Sequence, residues 1–156
     1  MVLMVVQFIG LLMMGIAAGV AFGLVLQARP KSALPSIVFL DIHQVLLRNY
    51  GSALRVIEGA AFFAVLIALP FVRENPKVFT MTWVSLICIA AMILIWTALI
   101  QPINKQVQVW NLETMPDNWA QTRSRWDRYQ ILRGILAIIG LCALILSVLV
   151  LSRIHI

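Results

Sequence analysis

From Met1 to Gln27 the chain carries no charged residue, a run of 27 positions. A hydrocarbon core about 30 Å thick is crossed by about 20 apolar residues in a helix, so this stretch spans it with length left for tilt. Within it Gly15, Gly19 and Gly23 recur every four positions. Glycines at that spacing cut a groove along one side of a helix and let a neighbouring backbone approach closely, which predicts a first helix packed on a partner. A secretory signal is the competing explanation, but no Lys or Arg precedes the run, which is far longer than the roughly 7–15 residues of a signal core.

The rest of the chain agrees. With 62% hydrophobic residues, 12% charged residues and a mean hydropathy of +0.98, a soluble globular domain is excluded. The net charge of +6 then sets cations against lipid phosphates, and nucleic acid is not an expected partner. No internal repeat, linker or low-complexity tract divides the 156 residues, so one integral membrane domain is predicted.

Four spans are expected, over about 2–27, 53–72, 78–100 and 131–152. Pro30 and Pro35 interrupt the pattern after the first, and Pro35 suits the first turn of a short helix reaching about Asn49. On a helical wheel Val38, Phe39, Ile42, Val45 and Leu46 share one face, opposite Asp41, Gln44 and Arg48, as in a helix lying in the membrane interface or in the wet end of a longer helix. The second span is the weakest, because its uncharged part, Gly59 to Val72, is 14 residues long and follows Arg55 and Glu58. Arg73, Glu74 and Lys77 form a turn around Pro76, Val78 to Ile100 is the third span, and Pro102 closes it. Thr114-Met-Pro-Asp117 resembles a helix start of the Thr-x-x-acid type, from which one helix with a long polar N-terminal extension runs into the fourth span. The fold class is therefore all-α, a four-transmembrane-helix bundle with an interfacial helix before the second span.

Four crossings place both termini on one face. The opposite face gathers Arg29, Lys31, Arg48, Arg55, Lys105, Arg123, Arg125, Arg128 and Arg133, nine cations, against Arg73, Lys77 and Arg153 on the terminal side. The positive-inside rule then predicts a plasma or inner membrane protein with both termini on the non-cytoplasmic side.

The most ordered polar feature is a stripe in the last helix. Trp119, Arg123, Trp126, Gln130 and Arg133 are spaced four, three, four and three residues apart and share one face. The same steps lead on to Ala137, Gly140 and Leu144, a seam suited to close helix contact. Turned inward, the stripe makes a cationic, Trp-lined pocket at one end of the bundle; turned outward, it is an interfacial belt of tryptophan anchors and snorkelling arginines. Glu58 beside an apolar run wants a cation or a proton, and Arg55 or Arg133 are the candidate partners. It is either a structural ion pair or a catalytic carboxylate. His43, at the border of the amphipathic face, is a candidate for proton transfer or a plain interfacial contact, and lacks companions at metal-ligand spacing. Cys88 and Cys142 fall near the middles of their spans and read as packing residues. No phosphate loop, nucleophile elbow or zinc motif occurs, so no metal and no standard cofactor is expected.

The segment Gln101-Pro-Ile-Asn104, then Trp110, Pro116-Asp-Asn-Trp119, Arg123-Ser-Arg125-Trp126 and Arg133 resembles the anthrone-oxygenase-like family of small four-span membrane proteins. The motif covers about 30 residues, although the layout of spans fits nearly the whole chain. Family members often carry a histidine where this chain has Tyr129. The resemblance implies a four-helix membrane bundle and, for some relatives, oxidation of an anthrone to an anthraquinone by dioxygen without metal or flavin. It would make His43 or Glu58 the base, Arg123 and Arg133 the anion stabilisers, Trp119 and Trp126 the walls and Asn104 a hydrogen-bond donor.

Two functions are thus expected. One is a pocket that binds or oxidises a lipophilic aromatic or quinone-like molecule. The other is an accessory subunit that docks a second copy or a larger membrane protein through Gly15, Gly19 and Gly23 and its basic helices.

Overall fold

The computed structural model describes the backbone of residues 1–32, 34–111 and 113–154, and the side chains of these except 28–32, 46–52 and 154. The side chains of Leu46, Arg29, Lys31 and Arg48, and the whole of His155, therefore lie outside the described residues. Helices α1 (Val2–Ser32), α2 (Ser36–Val72), α3 (Pro76–Ile95), α4 (Gln101–Gln108) and α5 (Trp119–Ile154) make up the fold, with a π-helical turn, Trp96–Ile100, joining α3 to α4. Four stretches are long and apolar enough to cross a membrane: Val2–Gln27, Ala53–Val72, Pro76–Gln108 and Trp119–Arg153. Around the bundle α1 packs on α2 and α5, and α3 packs on the same two helices. Up-and-down succession with short turns puts these neighbours antiparallel.

Three boundaries differ from the sequence expectation. Pro30 does not end the first helix, since α1 continues to Ser32; α2, by contrast, is one helix of 37 residues, the longer helix that is one of the two expectations for the segment before the second span. Its apolar wheel face looks outward, with Val38, Ile42 and Val45 exposed, while Phe39, Leu40 and His43 are buried. Pro102 does not end the third span either, because the chain widens into the π turn and continues as α4. Finally, Thr114 caps no helix. Its hydroxyl donates to Asn111 Oδ1 at 2.8 Å and accepts from the Asn111 N–H at 3.0 Å, closing a tight turn, and α5 begins at Trp119. The start of α3 is capped more conventionally, by Asn75 Oδ1 accepting from the Val78 N–H with Pro76 at the first helical position.

The core is built from small residues and flexible methionine. Ala18, Ala21, Ala61 and Ala137 let the helices close on Met14, Leu86, Ile89, Met92 and Leu144. The glycines that enable close approach are not the tandem set. A Cβ on Gly140 would lie 2.8 Å from Met14 Cε and 3.0 Å from Cys88 Cβ, and one on Gly134 would lie 2.8 Å from Val25 Cγ2. At Gly15, Gly19 and Gly23 it would meet nothing within 4 Å. The buried ridge of α1 runs through Met14, Ala18 and Ala21, and the tandem glycines sit off that line, Gly15 and Gly19 by about one residue, roughly 100°, and Gly23 by about two. Among the described residues, then, the Gly15–Gly19–Gly23 groove has no helix in it. Farther from the site, Thr82 and Ser147 hydroxyls join α3 to α5 at 2.9 Å, and Cys88 (buried) and Cys142 (exposed) are both free thiols.

Length decides where a site can lie. At about 1.5 Å per residue the 36 residues of α5 extend about 54 Å, well beyond a 30 Å hydrocarbon layer. The surplus of α2 and α5 falls at the same end, where α4 leads into the connection to α5, and a second cluster of Leu40, Ile100, Ile103, Val107, Trp110 and Trp126 fills the space between them.

Candidate functional site

The stripe of α5 turns inward. Arg133 is 1% exposed, Gln130 6%, Arg123 7% and Trp126 8%. Such burial excludes a belt of anchors pointing at headgroups, since snorkelling side chains keep their tips wet.

Arg133 is the deepest of them. Its Nη2 donates to Glu58 Oε1 on α2 in a buried ion pair, and its Nη1 donates to Gln130 Oε1 at 3.0 Å. The guanidinium Nε–H is buried with no hydrogen-bond partner among the described residues. Of the two partners the sequence offered to Glu58, the structure pairs it with Arg133; Arg55 instead lays its guanidinium over the Trp96 ring at 5.0 Å. A carboxylate and a guanidinium that are both buried neutralise each other, so at this point the site presents N–H groups more than net charge.

One turn outward, Trp126 donates its indole N–H to Asn104 Oδ1 at 2.9 Å. Asn104 reaches this position because of the π turn. Pro102 has no N–H and its ring crowds the carbonyl four residues earlier, so an α-helix cannot pass it unstrained. The turn answers with a Gln101 N–H bond to the Trp96 carbonyl, five residues back. In a regular helix Trp96 and Asn104 would point about 80° apart; one extra residue in the turn brings them to within about 20° of each other. Beyond it, Gln44 of α2 donates to the carbonyls of Val107 at 3.1 Å and Trp110 at 2.9 Å, which ties α2 to the end of α4 and the residues that follow it.

His43 lies edge-on to the Trp126 ring, with centroids 4.8 Å apart, and its other side meets Phe39 at 5.1 Å. Phe39 also meets Trp119 at 5.8 Å, and Arg123 covers both rings, 5.1 Å above Phe39 and 5.7 Å above Trp119. The guanidinium of Arg123 has Asp127 3.9 Å away on its own helix. Arg123 and Trp119 therefore close the outer end of the site by stacking.

These elements enclose a cavity of about 580 Å³. His43, Trp96, Asn104, Trp126, Gln130 and Arg133 form its inner wall, and Val20, Gly23, Leu24 and Gln27 of α1 face Ala53, Leu54 and Ile57 of α2 across the rest. Among the residues singled out from sequence, His43, Asn104, Trp126 and Arg133 line this one space, and so does Gly23. Glu58 stands behind Arg133, while Trp119 and Arg123 lie outside the cavity over Phe39. Three participants escaped sequence reasoning: Phe39, which read as lipid-facing; Gln44, which read as wet; and Trp96, whose phase relative to Asn104 depends on the π turn.

Hydrogen bonds fix which way the amides point. With Oδ1 engaged by Trp126, Asn104 has its NH₂ left to offer; with Oε1 engaged by Arg133, so does Gln130. Together with Arg133 Nε, the polar wall is a set of donors. No group of three or more His, Cys, Asp or Glu side chains that could hold a metal occurs among the described residues. Comparison of the chain with protein-family models, with curated proteins and with solved structures gave no match.

Proposed function

We propose that this small integral membrane protein binds a flat, lipophilic, carbonyl-bearing ring compound of the quinone or anthrone type in the cavity at the charged end of its bundle. One observation carries the proposal: Asn104, Gln130 and Arg133 converge on an aromatic-walled space with their acceptors already engaged, leaving N–H groups to meet a ligand. These N–H groups select a carbonyl or phenolate oxygen, and beside them the imidazole of His43 brings a nitrogen able to take a proton. The volume of about 580 Å³ suits a head of two or three rings, and Trp96 and Trp126 supply flat walls.

The resemblance to anthrone-oxygenase-like proteins adds a reaction. In it His43, which lines the cavity, takes a proton from the ring methylene of an anthrone, and the donor set holds the enolate oxygen that results. Dioxygen, the oxidant, accepts electrons from that carbanion, leaves one oxygen on the ring carbon as a carbonyl and departs with the two hydrogens as water. Glu58 is less suited to the role of base because its carboxylate is committed to Arg133. The test is thermal stabilisation by duroquinone in lipid nanodiscs, expected for the unaltered protein and lost in Asn104→Leu. Equal stabilisation of both proteins, or of neither, refutes the assignment.

The subunit alternative also has an observation in its favour, the vacant groove at Gly15 and Gly19. A second copy or a companion helix seated there would appear as a stoichiometric complex in native mass spectrometry, and Gly19→Leu would dissociate it.

A further inference from the structure

The wall of the cavity is divided by exposure as well as by chemistry. Its donors, Asn104, Gln130 and Arg133, are each at least nine-tenths buried, whereas Val20 is 41% exposed and Gln27 and Ala53 are exposed. These three rim residues belong to α1 and α2, and each lies inside a stretch apolar enough to cross a membrane. Toward the other end the same two helices touch, since a Cβ on Gly10 would lie 3.5 Å from Val65 Cγ2 and 3.7 Å from Ala64 Cβ. At Gly23, on the cavity wall, a Cβ would meet nothing within 4 Å. Among the described residues the α1–α2 contact is thus closed at one end and open at the cavity, where the gap faces lipid.

We infer that this gap is a side door through which the ring compound arrives from within the bilayer, and that the compound carries an aliphatic tail which stays in the doorway. The inference rests on the donor-lined site for carbonyl oxygens given above and names the class of ligand more narrowly: a lipid-soluble quinone with a long hydrocarbon chain. A chain of many carbons is longer than a space of about 580 Å³ can hold beside the rings, so its far part passes out through the gap. The wall where it passes, Val20, Leu24, Ala53 and Leu54, is apolar. Hydrocarbon gains little by exchanging lipid for this wall, because acyl chains are as apolar as leucine. The doorway therefore has to admit the tail without gripping it, and it limits affinity by being blocked.

Val20→Trp and Ala53→Trp narrow the doorway at exposed positions and leave the donor set intact. Two probes with closely related heads separate the effects in nanodiscs of one lipid composition, where partitioning cancels between variants: duroquinone, which has no tail, and decylubiquinone, which has one. In both variants the Kd for decylubiquinone is expected to rise about tenfold more than the Kd for duroquinone. Decylubiquinone binding that ignores both substitutions overturns the side door, as does an equal loss for the two probes. Failure of duroquinone to bind the unaltered protein refutes the donor-lined site itself, and the door with it; duroquinone binding without sensitivity of the tailed probe refutes the door alone.

Discussion

Replacing Arg133 by Met leaves the Glu58 carboxylate buried, 3% exposed, with its ion-pair partner gone. Removing one member of a buried pair costs about 3–5 kcal/mol, most of it the penalty of stranding the other charge. Glu58→Leu strands the guanidinium instead, and here the loss falls toward the lower figure, since Gln130 Oε1 still accepts from Nη1. For a chain of this length about 2–4 °C of Tm accompanies each kcal/mol, so each single variant should melt roughly 6–20 °C below the unaltered protein. The double variant is the informative one. Neither ion in it is desolvated and two apolar side chains take their place, so its Tm should return to within a few degrees of the starting value or exceed it. Thermal unfolding followed by tryptophan fluorescence in a mild detergent measures all four proteins. Losses that simply add in the double variant would mean that the two side chains contribute independently, and the pairing of α2 with α5 through Glu58 and Arg133 would be refuted.

Other consequences are equally open to measurement. Gly140→Ala places a methyl 3.0 Å from Cys88 Cβ, which cannot swing aside as Met14 Cε can, and should destabilise by about 1–3 kcal/mol, while Gly15→Ala should leave thermal stability within about 0.5 kcal/mol. Trp126→Phe keeps the ring but leaves Asn104 Oδ1 without its indole donor, so a loss of about 1–3 kcal/mol is expected together with weakened duroquinone binding. The count of Lys and Arg predicts both termini on the non-cytoplasmic side, so a cysteine replacing Lys77 should react with a membrane-impermeant maleimide added outside intact cells and one replacing Lys105 should not; the opposite labelling reverses the orientation.

The number of spans and the existence of the stripe were legible because both depend on local rules, which leave open the side to which the stripe turns. Uncharged length reports the crossing, and spacings of three and four residues report a helix face whatever surrounds it. The wheel over Val38 to Leu46 located the outward face, Val38, Ile42 and Val45, but periodicity does not tell what lies against either side of a helix, so the burial of Phe39 was not legible. For the same reason His43 and Gln44, which appeared to edge a wet face, point at Trp126 and at the end of α4. The tandem glycines misled differently. Their spacing is real, but the use of a groove is decided by which neighbour is present, and close approach within the chain falls to Gly10, Gly134 and Gly140, whose spacing carries no motif.

Pro102 joins these threads, because one missing N–H determines whether the site exists. Replacing it by Ala restores the donor and removes the ring that crowds the carbonyl of Ala98, so the helix can recover its regular hydrogen bonds. Loss of the extra residue in the turn rotates Trp96 relative to Asn104 by about 100°. Asn104 is held by Trp126 and the end of α4 by Gln44, so the rotation falls on Trp96, which leaves the cavity wall and moves away from Arg55. Pro102→Ala is therefore expected to match or exceed the unaltered protein in Tm while losing duroquinone binding, the reverse of the pattern for a merely damaged fold. Higher stability with binding retained would show that the π turn does not set the geometry of the donor wall.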